Sequence, residues 1–291
     1  MITALPRRYR AWQRRRVLRQ ARRSELGRLR ALGHPLANAL ADAIGGAAEP
    51  AQTRDERQAI ERIERLRRDL AASDETIEHL DFGAGDASAP RARSEARRGV
   101  PVTMPVSRLA TSTSKGQPWS GLIFNLVRAL RPDRCLEMGT CLGLSAAYQC
   151  AALAQNGSGR LVTLEGGPAY AAKARQNLAG LGFDNFDIVV GPFEVTLGPT
   201  LEKERPIDFL FNDGHHDGDA LLDYFEGTLP YLAEGSVLLV DDIAVYQSMR
   251  RGWRRLVEHP AVDLSVDLGA MGLVCVNPRP LHKAAFTVPL A

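Results

Sequence analysis

Cysteine is scarce in this 291-residue chain. There are four, Cys135, Cys141, Cys150 and Cys275, and no Cys-x-x-Cys pair. A disulfide framework and a zinc ribbon are therefore excluded, and a reducing cytoplasm fits. Long apolar runs are absent as well: none reaches the about 18 residues that a spanning helix needs. The chain lacks Gly-x-Gly-x-x-Gly and Gly-Lys-Ser/Thr, which weighs against dinucleotide and P-loop nucleotide binding. Lysine is rare, 4 of the 37 cations, the rest being arginine. No uncharged apolar core follows the basic start, so it is not a secretory signal, and it lacks the serines of a transit peptide.

What is present is unevenly spread. Residues 1–100 hold 21 arginines against 14 acids, and the remainder is slightly acidic. Residues 1–33 carry 11 of those arginines, with Tyr9, Trp12, Leu18, Leu26 and Leu29 at loose helical spacing, ending at Gly33 and Pro35. A solvated helix is the plain reading; contact with an anionic membrane surface or RNA stays open. Residues 36–52, rich in alanine and glycine, read as a linker. Thr53 and Glu56 form a capping box, and Ile60, Ile63, Leu66 and Leu70 share one face of the helix that follows, which should end near Ser73. Residues 81–99 read as loop.

From about residue 105 short apolar runs alternate with helical patterns. Strands are expected at 134–138, 160–164, 186–190, 207–212, 235–240, 261–267 and 271–276. Helices are expected at 117–130, 143–155, 168–181, 217–230 and 246–258, with a shorter one near 193–203. That alternation specifies an α/β fold: a Rossmann-like, seven-stranded, mostly parallel sheet with its last strand antiparallel and helices on both faces. A helical N-terminal extension over 1–104 precedes the domain at 105–291.

Ligands of open α/β sheets bind at the carboxyl ends of the strands. After the first strand stands Glu137-Met138-Gly139-Thr140-Cys141-Leu142-Gly143-Leu144-Ser145, where Gly139 permits a tight turn and Gly143 lets the next helix start against the strand. Glu165 follows the second strand, 26 residues past Gly139, where a carboxylate can accept from both ribose hydroxyls. Gly191-Pro192-Phe193 follow the third and could bracket an adenine. Asp213 follows the fourth, and Asp241-Asp242 the fifth.

The strings CLEMGTCLGLS, VTLEGGP, FLFNDGHHDGDALLDYF and GSVLLVDDI occur in this order. With them, residues 107–276 resemble a class I S-adenosylmethionine-dependent methyltransferase of the small-molecule O-methyltransferase branch, which includes catechol-type and macrolide-sugar enzymes. The resemblance implies that Glu137, Gly139, Thr140, Gly143 and Ser145 cradle the methionine part of S-adenosylmethionine. Glu165 would hold the ribose, Gly191 and Phe193 would lie near the adenine, and Asp213 would border the cofactor. Many relatives carry an acid where Pro192 stands. A Ser/Thr-rich segment such as Thr111–Ser120 closes over the cofactor in relatives, and Trp119 could pack beneath it.

Three carboxylates converging at one rim repel unless a cation joins them. Oxygen ligands with open positions suit Mg²⁺, and metal-dependent relatives place acids as Asp213, Asp241 and Asp242 stand here. By the same resemblance His216 is the general base for the acceptor hydroxyl, with Asp213 beside it in the catalytic set; His215 has the weaker claim. The expected reaction is methylation of a hydroxyl on a small molecule, by a homodimer. No Asn-Pro-Pro-Tyr-like string follows the fourth strand, which disfavours a nucleobase acceptor. The rival readings are an RNA methyltransferase using the basic N-terminus as a clamp, and a non-catalytic protein of the same fold.

Overall fold

The computed structural model describes residues 7–50, 52–81, 85–86, 89–90, 98–277 and 282–290. The N-terminal part comprises helices α1 (Arg7–Arg30), α2 (Pro35–Ala48) and α3 (Arg54–Ala71) and a hairpin of strands β1 (Thr76–Asp81) and β2 (Val100–Pro105). A helical turn, Val106–Arg108, and a π-helical turn, Leu109–Thr113, lead into α4 (Trp119–Leu130). Then follow β3 (Arg134–Met138), α5 (Leu144–Asn156), β4 (Arg160–Glu165), α6 (Pro168–Gly180), β5 (Phe186–Val190), α7 (Phe193–Glu204), β6 (Ile207–Asn212), α8 (Gly218–Thr228) and β7 (Leu232–Val240). The chain continues with α9 (Gln247–Glu258), β8 (Val262–Asp267), β9 (Gly272–Val276) and β10 (Ala284–Thr287).

Among the described residues the main sheet has eight strands in the spatial order β10-β8-β9-β7-β6-β3-β4-β5. The seven expected strands are all present. The last of them, β9, runs antiparallel to both β7 and β8. The eighth, β10, is a four-residue edge strand parallel to β8, too short to stand out in the sequence. In β3, β4 and β6 nearly every residue is buried, because helices cover both faces and water reaches neither.

The stretch expected as a linker is instead the helix α2. Alanine is the best helix former and loses no side-chain freedom on folding, so an Ala-rich segment needs only a surface to pack on. Leu40, Ala41 and Ile44 are fully buried there. Gly46 permits close approach of α4: a Cβ at that position would stand 3.0 Å from the Asn125 side-chain nitrogen. One continuous apolar core runs from Leu26 and Leu29 of α1 through α2, α4 and α5 to Leu290.

Helix α1 buries Leu26 and Leu29 and turns most of its described arginines to the surface. Several of these find partners within the chain. Arg19, Arg22 and Arg23 surround Glu49 at 3.3–3.5 Å, Arg30 pairs with Asp42 at 2.7 Å, and Arg22 donates to the carbonyls of Pro289 and Leu290. The capping box at the start of α3 is formed in both directions. The expected loop at 81–99 is bounded by the hairpin, paired from Thr76↔Pro105 to Asp81↔Val100; residues 82–84, 87–88 and 91–97 lie outside the described residues. Among the described residues no helix is long and apolar enough to cross a membrane.

Candidate active site

The chain reverses its direction across the sheet between β3 and β6: β4 and β5 extend to one side of β3, and β6 and β7 to the other. A crevice opens at such a switch point, outside the carboxyl ends of the strands. The Asp213 N–H donates to Met138 O at 2.9 Å, and the Asp241 N–H to Asn212 O at 2.9 Å, so the three strand ends are stitched in register. Gly139 sits at φ +100°, and a Cβ there would lie 2.5 Å from Asp213 O. The glycine is thus required by the neighbouring loop as well as by its own turn.

A cleft of about 180 Å³ occupies the switch point, lined by Gly139, Cys141, Glu165, Tyr170, Phe193, Asp213 and His216, with Leu80 reaching in from the hairpin. Glu165 is held by two backbone donors: Cys141 N–H to Oε2 and Gly167 N–H to Oε1, both 2.8 Å. Its carboxylate lines the cleft. Phe193 lies over Gly214, where a Cβ would stand 2.3 Å from the ring, and meets His215 edge-on at 5.3 Å. Gly191, at the end of β5, passes beside Thr196.

Not every residue assigned to the cofactor faces it. Glu137 is fully buried beneath the loop; it accepts from Gln149 at 2.9 Å and from Thr163 at 2.7 Å. Burial pushes its carboxyl group up to about 7, partly offset by these hydrogen bonds and by one from Ser145. The Thr140 hydroxyl turns inward to Thr163 at 2.6 Å. Gly143 starts α5 hard against Ala174. Glu137 and Gly143 therefore shape the loop from below, and Gly139, Thr140 and Ser145 line the space above it. Burial pushes the Cys141 thiol up to about 12, which leaves it unsuited to act as a nucleophile.

Asp213, Asp241 and Asp242 do converge. The Asp213 carboxyl is held well above the usual carboxylate range, first by burial and then by the Asp241 carboxylate beside it. The charge at their centre is Lys115. Its Nζ donates to Asp241 Oδ2 at 2.8 Å and to Asp242 Oδ1 at 2.7 Å. Burial works against the ammonium, but the two aspartates outweigh it and hold the lysine above its ordinary value. The other oxygen of Asp241 accepts the Asp242 N–H at 2.7 Å, so each oxygen of the most buried of the three already has a partner. Among the described residues no group of three or more His, Cys, Asp or Glu is arranged to hold a metal ion. With the ammonium bonded to two of the three expected donors, this arrangement does not fit the expected Mg²⁺.

His216 stands at the rim of the same cluster, its Nε2 3.8 Å from Asp213 Oδ1 and 3.7 Å from Asp242 Oδ2. His215 turns the other way, with Nδ1 2.6 Å from the Tyr224 hydroxyl. Its φ of +33° lets the chain double back to Asp217, which caps α8 by accepting from Asp219 and Ala220.

Comparison with known proteins agrees with this geometry. Residues 136–243 match a family model described as a methyltransferase domain. A catechol O-methyltransferase of Mycobacterium tuberculosis is 31% identical over 169 residues, 54% of this chain and 72% of that protein. The chain belongs to the class I S-adenosylmethionine-dependent methyltransferases, in the small-molecule O-methyltransferase branch. A catechol O-methyltransferase of Niastella koreensis is 29% identical over 40% of this chain and 52% of its own. Among solved structures, the O-methyltransferase TomG of Streptomyces achromogenes, in complex with SAM, shares 26% identity at a TM-score of 0.50 over 57% of this chain and 82% of that one. The SAH-bound Podospora anserina methyltransferase PaMTH1 shares the fold at 22% identity, TM-score 0.50, over 56% of this chain and 80% of its own.

The methyltransferase site also includes residues that sequence reading passed over. Lys115 lies in a Ser/Thr-rich stretch whose local spacing carries no sign of a partner 126 residues away. Its rarity is the one available signal, since it is one of four lysines. Arg67 of α3 donates to Ser114 O at 3.0 Å and Lys115 O at 3.2 Å, which makes the N-terminal part a support of the site. In the hairpin, His79 packs against Tyr170 with ring centroids 3.7 Å apart and planes tilted by 36°, next to Leu80, which lines the cleft.

Proposed function

We propose that this methyltransferase moves the methyl group of S-adenosylmethionine to a hydroxyl oxygen of a small molecule, with His216 as the general base. The observation that carries this reading is the position of His216, at the junction of the cofactor cleft and the aspartate cluster. The acceptor oxygen attacks the sulfonium methyl in line, the C–S bond breaks as the C–O bond forms, and His216 takes the hydroxyl proton. The products are a methyl ether, S-adenosylhomocysteine and a proton passed to solvent. Asp213 and Asp242 flank the imidazole, with Nε2 3.8 Å and 3.7 Å from their nearest oxygens. Holding the two reactants in line supplies most of the acceleration in such a displacement. That two relatives are named catechol O-methyltransferases supports a vicinal diol or phenol as the first acceptor to try. No step is routed through a divalent ion, because Lys115 holds the oxygens it would need.

The test is His216→Asn, assayed with labelled S-adenosylmethionine against a panel of catechols and hydroxylated small molecules. Loss of a positioned base should lower kcat by roughly 10²–10⁴. The affinity for S-adenosylhomocysteine, measured calorimetrically, should be unchanged. A kcat within about threefold of the parent would remove His216 from the reaction.

A further inference from the structure

We propose that Lys115 is the resident cation of the acceptor site, bonded to Asp241 and Asp242 in the position a divalent ion would need, so that turnover proceeds without a metal. The inference rests on the methyl-transfer reading for its catalytic half. Its structural half stands independently.

Three observations point the same way. The ammonium makes two short ion-pair hydrogen bonds, to one oxygen of each neighbouring acid, and the other oxygen of Asp241 already accepts the Asp242 N–H. The lysine is not a loose surface side chain: Arg67 grips the carbonyls of Ser114 and Lys115, and Glu64 in turn grips Arg67 at 3.2 Å and the Tyr148 hydroxyl. The segment is also tied at Thr113, whose hydroxyl donates to Leu109 O at 2.6 Å and lies 3.7 Å from Cys141 Sγ. Finally, lysine stands here in a chain that otherwise spends its cations as arginine. A compact ammonium fits between two carboxylates as a point charge, which a planar guanidinium does not.

The space beside Lys115, lined by Thr113, Gly139, Cys141 and Asp213, adjoins the cofactor cleft, which the same four residues also line. An acceptor oxygen at that junction meets His216 on one side and the ammonium on the other. As the proton leaves, negative charge builds on the oxygen and the fixed positive charge stabilises it. A divalent ion placed between these acids would stand against the Lys115 ammonium, and the repulsion of two cations in one position would require Lys115 to withdraw.

The test begins with a measurement that needs neither acceptor nor turnover: calorimetric and paramagnetic titration of the full chain with Mn²⁺, with S-adenosylhomocysteine present. The parent protein should show no site tighter than about 1 mM. Lys115→Met, which keeps the apolar stem, should bind one Mn²⁺ at least about tenfold more tightly than the parent, and adding Asp241→Asn should abolish that site. Thermal melting confirms that the variants are folded. Turnover by the parent should be the same with and without excess chelator, and Lys115→Met should lower kcat without weakening S-adenosylhomocysteine binding. A single micromolar Mn²⁺ site in the parent, lost on Asp241→Asn, overturns the proposal whether or not Lys115→Met folds, and so does chelator-sensitive turnover restored by Mg²⁺. If S-adenosylhomocysteine fails to bind at all, the methyl-transfer reading falls instead, and the Mn²⁺ titration still decides who holds the aspartates.

Discussion

Glu137 shows how a residue inside a recognisable motif can serve the fold rather than the ligand. Two residues before Gly139 it looks like a cofactor contact, yet the pleat of β3 turns it into the interior, where Thr163, Gln149 and Ser145 meet it. Its raised carboxyl group has a consequence for stability. In the unfolded chain the group ionises near the ordinary value of 4.5, whereas in the folded chain it holds its proton until about pH 7. Between those values the unfolded state alone releases the proton, so stability is full below about pH 4.5 and declines as pH rises through 7. At 1.36 kcal/mol per unit the decline is about 3 kcal/mol at most. Glu137→Gln removes the ionisation while keeping an acceptor for Gln149. Its melting temperature should match the parent at pH 4.5 and exceed it at pH 8; parallel pH profiles for the two proteins would show that Glu137 is ionised without penalty. Lys115 is the opposite case, a residue bonded to two of the expected site acids that left no local trace in the sequence, because its partners lie more than 120 positions away.

At the scale of elements, the buried parallel strands were legible because each is an apolar run followed by a helix with one apolar face. All six helices expected after residue 105 form within two residues of their expected ends. Two N-terminal elements were not legible. The hairpin buries only Ile77 and His79 of β1, its other strand alternates half-buried and exposed residues, and that strand carries two prolines, which weakens every strand signal. Helix α2 does place Leu36, Leu40 and Ile44 at helical spacing, but the alanines between them and the Gly45-Gly46 pair read as a linker, because part of its packing comes from closeness rather than bulk. Its two glycines should therefore respond differently to substitution. A Cβ at Gly45 would meet only Leu26 Cδ1 at ordinary contact distance, 3.6 Å, whereas one at Gly46 already crowds Asn125. Gly45→Ala should stabilise by about 0.5–1 kcal/mol, the ordinary gain from replacing a helical glycine. Gly46→Leu should destabilise by about 1–3 kcal/mol through overpacking against α4. Thermal melting of the two variants reads both signs; destabilisation by Gly45→Ala would mean that α2 is closer to α1 than the contact distance allows.

For the molecule as a whole, the N-terminal third is part of the enzyme's architecture. The boundary near residue 104 is visible in composition, because arginine stops dominating there, but burial ignores it: α2 lies on α4, α3 lies on α5, and Arg67 crosses to the site. The arginine-rich α1 divides in the same sense. Its first turns expose Trp12 and Val17, while its last turns bury Leu26 and Leu29. Removing residues 1–21 takes away, among the described residues, no fully buried side chain and should leave the melting temperature within a few degrees of the parent, with turnover intact. Removing residues 1–52 also takes away Leu40, Ala41 and Ile44, uncovers the α4 face beneath them and cuts Arg22 away from the chain's last residues. Burying a side chain of this size contributes about 1.5–3 kcal/mol, and an ordinary domain is stable by about 5–15 kcal/mol in all. The longer truncation should therefore aggregate or melt well below the parent, as read by light scattering during a thermal ramp. If it instead remained folded and bound S-adenosylhomocysteine with parental affinity, the N-terminal helices would be an appendage, and the support that Arg67 gives Lys115 would have to be carried by α3 alone.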